Sequence, residues 1–304
     1  MSGVRQMGLI LAAASAVALG GCQSVLMEEL SQAGQHIDRA AAAPVVALRS
    51  VITNAGDALK GPDLSAAAQK AYGDKLAAEA FARLPMAHDP ALEQHLTGMV
   101  NRIAALASGP RFTYRVYLVD SKEPNAFTPG GGHIFVTTGL VARLGDEAQM
   151  AMVLAHEVAH CVLGHVIKTA QRRQIGDRAV SASKSVLGDK LAVEWIGEGL
   201  GMAANAAVNL YTRDQEDEAD ELGLDLMVAA GYDLREAEKA IKALMSGSGK
   251  DDASFISEVF SDHPSKARRL QRLRNLIVAK YNLQDFSRSV RTTLAYERVS
   301  LAYR

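Results

Sequence analysis

Apolar residues recur with helical spacing over most of the chain, and in one short window they alternate instead. DLSAAAQKAYGDKLAAEAFARL, starting at Asp63, has mixed apolar spacing and predicts a helix that ends by Pro85. Asp89-Pro90 pairs an N-cap residue with proline at the first helical position, so a second helix should run to about Ala107 and stop at Gly109-Pro110. RFTYRVYLVD, 111–120, alternates and is rich in β-branched and aromatic residues, which predicts a strand. NAFTPGGGHIFVTTGL, 125–140, reads as a proline- and glycine-rich loop followed by a short strand at His133–Thr137. From Asp146 onwards the pattern is helical almost throughout: one helix carries residues 152–165, and others follow at 178–211, 214–230, 234–245 and 264–280. The tail VRTTLAYERVSLAY has mixed periodicity that assigns no element, and no internal repeat is visible. The pattern predicts a mainly α fold with a small β-sheet, an α+β class.

With 304 residues the chain can bury a full core, as one large domain or two small ones. Its 48% apolar and 22% charged residues are ordinary for a globular protein, and a formal net charge of −1 argues against a nucleic-acid partner. The first 21 residues stand apart. MSGVRQMGLILAAASAVALGG carries Arg5, then an apolar run from about Met7 to Leu19 that is too short to span a bilayer comfortably, then small residues; it reads as a signal peptide. Leu19-Gly20-Gly21-Cys22 resembles a bacterial lipobox, which implies cleavage before Cys22 and lipidation there. Gln23 after the cysteine favours, by resemblance to sorting rules, the outer membrane of a Gram-negative bacterium. Residues 22–60 are then a lipidated N-terminus and tether, holding a periplasmic domain to the membrane by acyl chains alone. Only Cys161 remains, so no intramolecular disulfide is expected. The apolar stretch at 147–163 is interrupted by His156, Glu157 and His160, and the one near 196–210 by Glu198 and glycines, so neither predicts a membrane span.

MVLAHEVAHCVLGH, 152–165, puts polar groups into an apolar run, and a buried helix does not accept them without partners. His156-Glu157-Val158-Ala159-His160 fits HExxH. At about 100° per residue the two histidines share a stripe one turn apart, able to chelate one Zn²⁺, with Glu157 beside the metal as the base for a metal-activated water. His165, about 140° off that stripe by the same count, is not expected to be a ligand and reads as a helix-end histidine, hydrogen-bonded or solvated. Cys161 points about 100° from His160 and reads as a small buried apolar residue. Catalytic zinc takes three protein ligands. A metzincin would carry histidine at 166, where this chain has Val166. The other source is YTRDQEDEADELGLDLM, 211–227, where Asp214, Glu216, Asp217, Glu218, Asp220 and Glu221 compete. Glu216 and Asp220 share a helix face, so Glu216 could complete the site while Asp220 accepts the second N–H of a ligand histidine. Spacing alone weighs this evenly against a solvated acidic face.

HEVAH followed by Glu216-Asp217-Glu218-Ala219-Asp220 resembles the zinc metallopeptidase family of HtpX, OMA-type and CAAX prenyl endopeptidases (peptidase family forty-eight). Asn125-Ala126-Phe127 with Pro129 to Val136 resembles the family's NAFxxPGGxIFV segment, and Asp262-His263-Pro264 with Arg269 its HPxxxxR motif. The resemblance implies that 61–304 is a gluzincin-type metallopeptidase domain with one Zn²⁺ per chain, held by His156, His160 and Glu216. It also implies that the HExxH helix packs beside an edge strand. There Asn125, Ala126, Phe127, Gly131 and Gly132 would bind an extended substrate by main-chain pairing. His263 and Arg269 suit a donor role toward the developing alkoxide; alternatively His263 occupies the zinc's open position in a resting enzyme, or merely caps a helix.

Lacking downstream tetratricopeptide repeats, the sequence is most similar to the short periplasmic lipoprotein branch. The function implied is a zinc-dependent endopeptidase hydrolysing misfolded or unassembled envelope proteins, with outer-membrane assembly machinery as a candidate partner. The alternative is a chaperone-like protein that holds outer-membrane clients and cleaves slowly; the intact Glu157 argues against a dead enzyme.

Overall fold

A computed structural model describes residues 64–172, 211–244, 266–281 and 289–303. Cys22, the 1–60 segments, the expected helix at 178–211 apart from Tyr211, and the Asp262-His263-Pro264 motif lie outside the described residues. The elements below belong to the compact unit formed by Asp63–Ile167 and Asn209–Arg304.

The chain is mainly helical with a small sheet, as the pattern predicts. Helix α1 (Ala66–Arg83) is capped by Ser65, whose hydroxyl accepts from the Ala68 N–H at 3.2 Å. Helix α2 (Pro90–Ala104) starts at Asp89-Pro90 as expected, with the Asp89 carboxylate taking the Leu92 N–H at 3.0 Å. Its face of Leu92, Leu96, Met99, Val100 and Ile103 is wholly buried, each such side chain contributing roughly 1.5–3 kcal/mol relative to exposure. Strand β1 (Arg115–Val119) is shorter than the alternating window.

The 125–132 region holds a strand where the composition suggests a loop. Strand β2 (Ala126–Gly130) pairs antiparallel with β3 (His133–Thr137), which in turn pairs parallel with β1, giving the order β1-β3-β2. β2 is thus at an edge of the sheet. Pro129 is tolerated because an edge strand has one face of its ladder unused, and the register is irregular between Phe127 and Gly130. Gly130, Gly131 and Gly132 turn the chain back with φ of 90°, 65° and 94°, a run only glycine adopts readily. A short helix α3 (Thr138–Arg143) follows directly, capped by the Thr137 hydroxyl; the sequence pattern does not mark it.

Helix α4 (Glu147–Val162) carries the HExxH run and is the axis of the fold. Every residue from Glu147 to Cys161 is buried, as expected of a helix that is apolar on all sides. Its first turn is tied down by Glu147, which lies 3.3 Å from His95 Nε2 and accepts from the Tyr232 hydroxyl at 3.3 Å. Helix α5 (Arg213–Ala229) begins with a capping box between Thr212 and Gln215 and packs along α4. The closest approach is at Gly223, where an added Cβ would stand 3.1 Å from the main-chain N and Cα of His156. The glycine lets α5 come near enough for Glu216 and Asp220, two turns and one turn earlier on the same face, to reach the histidines.

Gly223→Val should therefore force the two helices apart, costing about 1–3 kcal/mol by overpacking and weakening metal binding. Gly98→Ala, in the open middle of α2, should instead stabilise by about 0.5–1 kcal/mol. Urea denaturation of both variants, with a metal titration, checks the contrast.

A 3₁₀ turn (Leu234–Glu236) leads into α6 (Ala237–Leu244). Helix α7 (Lys266–Lys280) lays a row of cations on its neighbours: Arg268 on Asp217 at 2.7 Å, Arg272 on Glu221 at 3.1 Å, Arg274 on Glu238 at 2.5 Å and Lys280 on Asp225 at 2.6 Å. Such exposed pairs contribute little individually, but together they set the register that delivers Arg269 into the interior. The tail that the pattern leaves unassigned forms α8 (Leu294–Ser300) and a final 3₁₀ turn (Leu301–Tyr303). Among the described residues no single helix is long and apolar enough to cross a membrane.

Candidate metal centre

The two histidines of HEVAH present their Nε2 atoms to each other at 3.0 Å on the inner stripe of α4. Glu216 on α5 closes the group, with Oε1 3.3 Å from His160 Nε2 and Oε2 3.7 Å from His156 Nε2. All three side chains are buried, and one ligand atom from each lies within 4.8 Å of the others. Ligands at about 2.0–2.1 Å from a tetrahedral zinc stand about 3.3 Å apart, and the three distances bracket that spacing. Two imidazoles and a carboxylate at this spacing form a group that could hold a metal ion.

Charge points the same way. Glu157, Glu216 and Asp220 are buried here with the guanidinium of Arg269, so among the described residues the acidic groups at this centre outnumber the cations, a balance that suits a bound cation. Neither carboxylate oxygen of Glu157 has a hydrogen-bond partner among the described residues. Burial, then the charge of Glu216, push its carboxyl well above the usual range, with Arg269 and the Thr128 main chain pulling the other way. A carboxylate buried this deeply is costly to keep ionised. Burial, aided by the Arg269 charge, lowers the His156 imidazole, and burial with His156 alongside lowers His160 well below its ordinary value. Both rings are thus neutral, the form that binds metal.

Asp220 Oδ1 stands 3.1 Å from His156 Nδ1, so His156 can donate there and leave Nε2 for the ion. Burial raises the Asp220 carboxyl, but Arg269 outweighs it and holds it well below the usual carboxylate range. The guanidinium grips Asp220 through Nε and Nη2, both at 2.6 Å, and reaches Glu216 with Nη1 at 2.9 Å; Nη2 also lies 3.2 Å from His156 Nε2. The structure thus places Arg269 on the two acidic residues and beside a ligand ring, where the sequence expects a donor aimed at substrate. Its other expected partner, His263, lies outside the described residues.

The substrate-strand residues spread differently. The Asn125 carbonyl accepts from the Thr137 N–H while its own N–H donates to the Thr137 hydroxyl, Ala126 is fully buried, and Phe127 stacks on Phe135 at 5.0 Å. Gly131 and Gly132 sit under Lys70 of α1 and beside Thr113, where a Cβ would come within 3.0 and 2.7 Å. Thr128 of β2, a position the motif leaves open, adjoins the HExxH helix. Its hydroxyl is 3.1 Å from Cys161 Sγ, and its carbonyl accepts from the Tyr211 hydroxyl at 3.3 Å. Tyr211 in turn stacks on His160 at 3.7 Å. Cys161 is buried, as read, though with this polar neighbour rather than in purely apolar packing.

One expectation needs correction. Counting 100° per residue past His160 sends His165 away from the site, but α4 stops at Val162 and Gly164 turns the chain with φ 66°. His165 is instead fully buried with Nδ1 2.9 Å from His160 Nδ1, and Nε2 3.1 Å from Glu218. It stays outside the three-residue metal group and is hydrogen-bonded, one of the two readings its position allows, but it turns back to His160 rather than away. No spacing rule carries across a left-handed glycine, so the sequence held no signal for it.

Residues 90–277 match the model of peptidase family M48. The chain is 28% identical over 226 residues to the beta-barrel assembly-enhancing protease of Yersinia pestis, an alignment covering 71% of this chain and 45% of that protein. It is 28% identical over 233 residues to metalloprotease LoiP of Escherichia coli (strain K12), covering 75% of this chain and 88% of LoiP. It is 30% identical over 177 residues to the mitochondrial metalloendopeptidase OMA1 of Bos taurus, covering 56% of this chain and 34% of that protein. The chain thus spans about half the length of the beta-barrel assembly-enhancing protease.

Proposed function

The chain belongs to peptidase family M48 and is a metalloendopeptidase, and from that premise we propose that His156, His160 and Glu216 hold a single zinc ion with which the protein cuts misfolded or unassembled envelope proteins. The observation that carries the zinc reading is the convergence of two neutral imidazoles and a carboxylate beside the orphaned Glu157 carboxylate. Zinc bound there supplies a Lewis acid and lowers the pKa of a water to near neutrality. Glu157 takes the proton from the attacking water and passes it to the leaving amine nitrogen. Its raised affinity for a proton suits both halves of that transfer. Asp220 and Arg269 hold His156 and Glu216 in place, and His263 is the proposed donor to the alkoxide or occupant of the resting site.

Three further points support the substrate class and location. β2 is an edge strand beside the metal group, suited to pairing with an extended chain through its main chain, which reads little sequence. The Leu19-Gly20-Gly21-Cys22 run supports a lipid anchor. Relatives named for beta-barrel assembly support a place in the bacterial envelope and a link to outer-membrane assembly.

The test is metal analysis of the purified protein with mapping of cut sites in unfolded casein. The expected result is one zinc per chain and many cuts without a strict sequence rule. Protein free of zinc, or casein left whole by zinc-loaded protein, would overturn the reading.

A further inference from the structure

We propose that His165 and Glu218 position the ligand His160, forming a hydrogen-bonded chain that fixes which of its nitrogens faces the metal; the inference rests on the zinc reading above. The two Nδ1 atoms of His160 and His165 meet at 2.9 Å, with the rings at 69°. At that distance one nitrogen must donate and the other accept. Glu218, whose carboxylate only accepts, lies 3.1 Å from His165 Nε2. The proton of neutral His165 therefore sits on Nε2, its lone pair is on Nδ1, and His160 must donate through its own Nδ1. That leaves the lone pair of His160 on Nε2, the atom facing His156 Nε2 at 3.0 Å and Glu216 at 3.3 Å. With His165 neutral, no other tautomer keeps both the His160–His165 and the His165–Glu218 hydrogen bonds.

Both ligand histidines then end on a carboxylate, but by different routes. His156 reaches Asp220 directly at 3.1 Å, while His160 reaches Glu218 through an imidazole. The route is set by two local devices: the Leu163-Gly164 break that turns His165 back under α4, and the Gln215 side chain, which donates to the His165 carbonyl at 3.4 Å and ties the first turn of α5 to it. The chain also runs outward. His165 is fully buried, whereas the Glu218 side chain is 58% exposed, so the far end of the chain is open to solvent while the metal end is not. Histidine serves here because its neutral ring accepts at Nδ1 and donates at Nε2, on opposite sides of one rigid group.

The experiment measures zinc affinity of the full chain by competition with a chromophoric chelator, alongside denaturation of the metal-free forms. His165→Leu should weaken zinc binding by about 10–100-fold. His165→Asn, whose side-chain oxygen can replace Nδ1 as acceptor, should recover most of that loss. Glu218→Gln should weaken binding a few-fold in the natural background and not at all on top of His165→Asn, since the relay is then already cut. Affinity of His165→Leu within twofold of the natural protein, or equal loss in His165→Leu and His165→Asn, overturns the proposal. If His165→Leu does not fold, the Glu218 comparison decides: additive effects overturn the chain, and a vanished effect upholds it. A natural protein that binds no zinc at all overturns the function proposed above instead.

Discussion

Glu157→Gln should lower cleavage of unfolded casein by roughly 10²–10⁴-fold, the range that a positioned base contributes, while zinc content stays at one per chain. The substitution keeps the shape of the side chain and removes its capacity to take a proton. It should also stabilise the metal-free fold, because a neutral amide replaces a buried carboxyl whose oxygens have no partner and whose neighbour Glu216 repels its charge. Activity lost and stability gained in one variant is the signature of a group held in an unfavourable setting for its chemistry. The same variant separates cutting from holding. If it restores outer-membrane assembly to a deletion strain as fully as the natural chain does, the protein acts on clients by binding them, and the alternative of a chaperone-like holder displaces proteolysis as the biological role. Unchanged casein cleavage would remove Glu157 from the mechanism altogether.

Arg269→Leu should destabilise the protein by about 3–5 kcal/mol, the usual cost of stripping one partner from a buried ionic group. Two carboxylates depend on this guanidinium, Asp220 through two bonds of 2.6 Å and Glu216 at 2.9 Å. Arg269→Lys should recover only part of the loss, because an ammonium cannot span both acids as a planar fork does. The effect has a pH sign. The Asp220 carboxyl is depressed in the folded state, so its contribution is present above the ordinary carboxylate range and is lost as pH falls through the folded value. In Arg269→Leu that depression disappears, and the acid-side loss of stability should move toward neutral pH. Urea denaturation of metal-free protein at several pH values reads both effects; a loss under 1 kcal/mol would show that the acids find other partners.

Much of this site is legible in the residues because α4 is a regular helix. From Glu147 to Val162 the 100° step holds, so His156 and His160 converge where counting puts them. The acidic run on α5 resists the same treatment, since six carboxylates on one helix cannot be sorted by spacing. The structure divides them by face: Glu216 and Asp220 turn inward, Asp217 and Glu221 meet the arginines of α7, and Glu218 meets His165. That division depends on what packs against α5, which no local pattern contains. β2 is obscured by Pro129 and the glycines after it, residues that oppose a strand except at an edge. Gly223 reads in isolation as a weak point in a helix and acquires its purpose only with the His156 backbone beside it. Arg269 reads from its motif as a donor aimed at substrate, and its place on Glu216 and Asp220 follows only once the ion pairs on either side of it fix the rotation of α7.

His156 and Glu216 are sixty positions apart in the chain, and among the described residues no disulfide joins the helices that carry them; Cys161 is a free thiol. An ion held by both is therefore a cross-link. A covalent bridge closing a loop of that length removes about 4 kcal/mol of unfolded-state entropy, a large share of the roughly 5–15 kcal/mol that keeps a domain folded. The centre that opens other chains would thus also fasten its own, and a chelator would undo the hydrolase and the knot in one step.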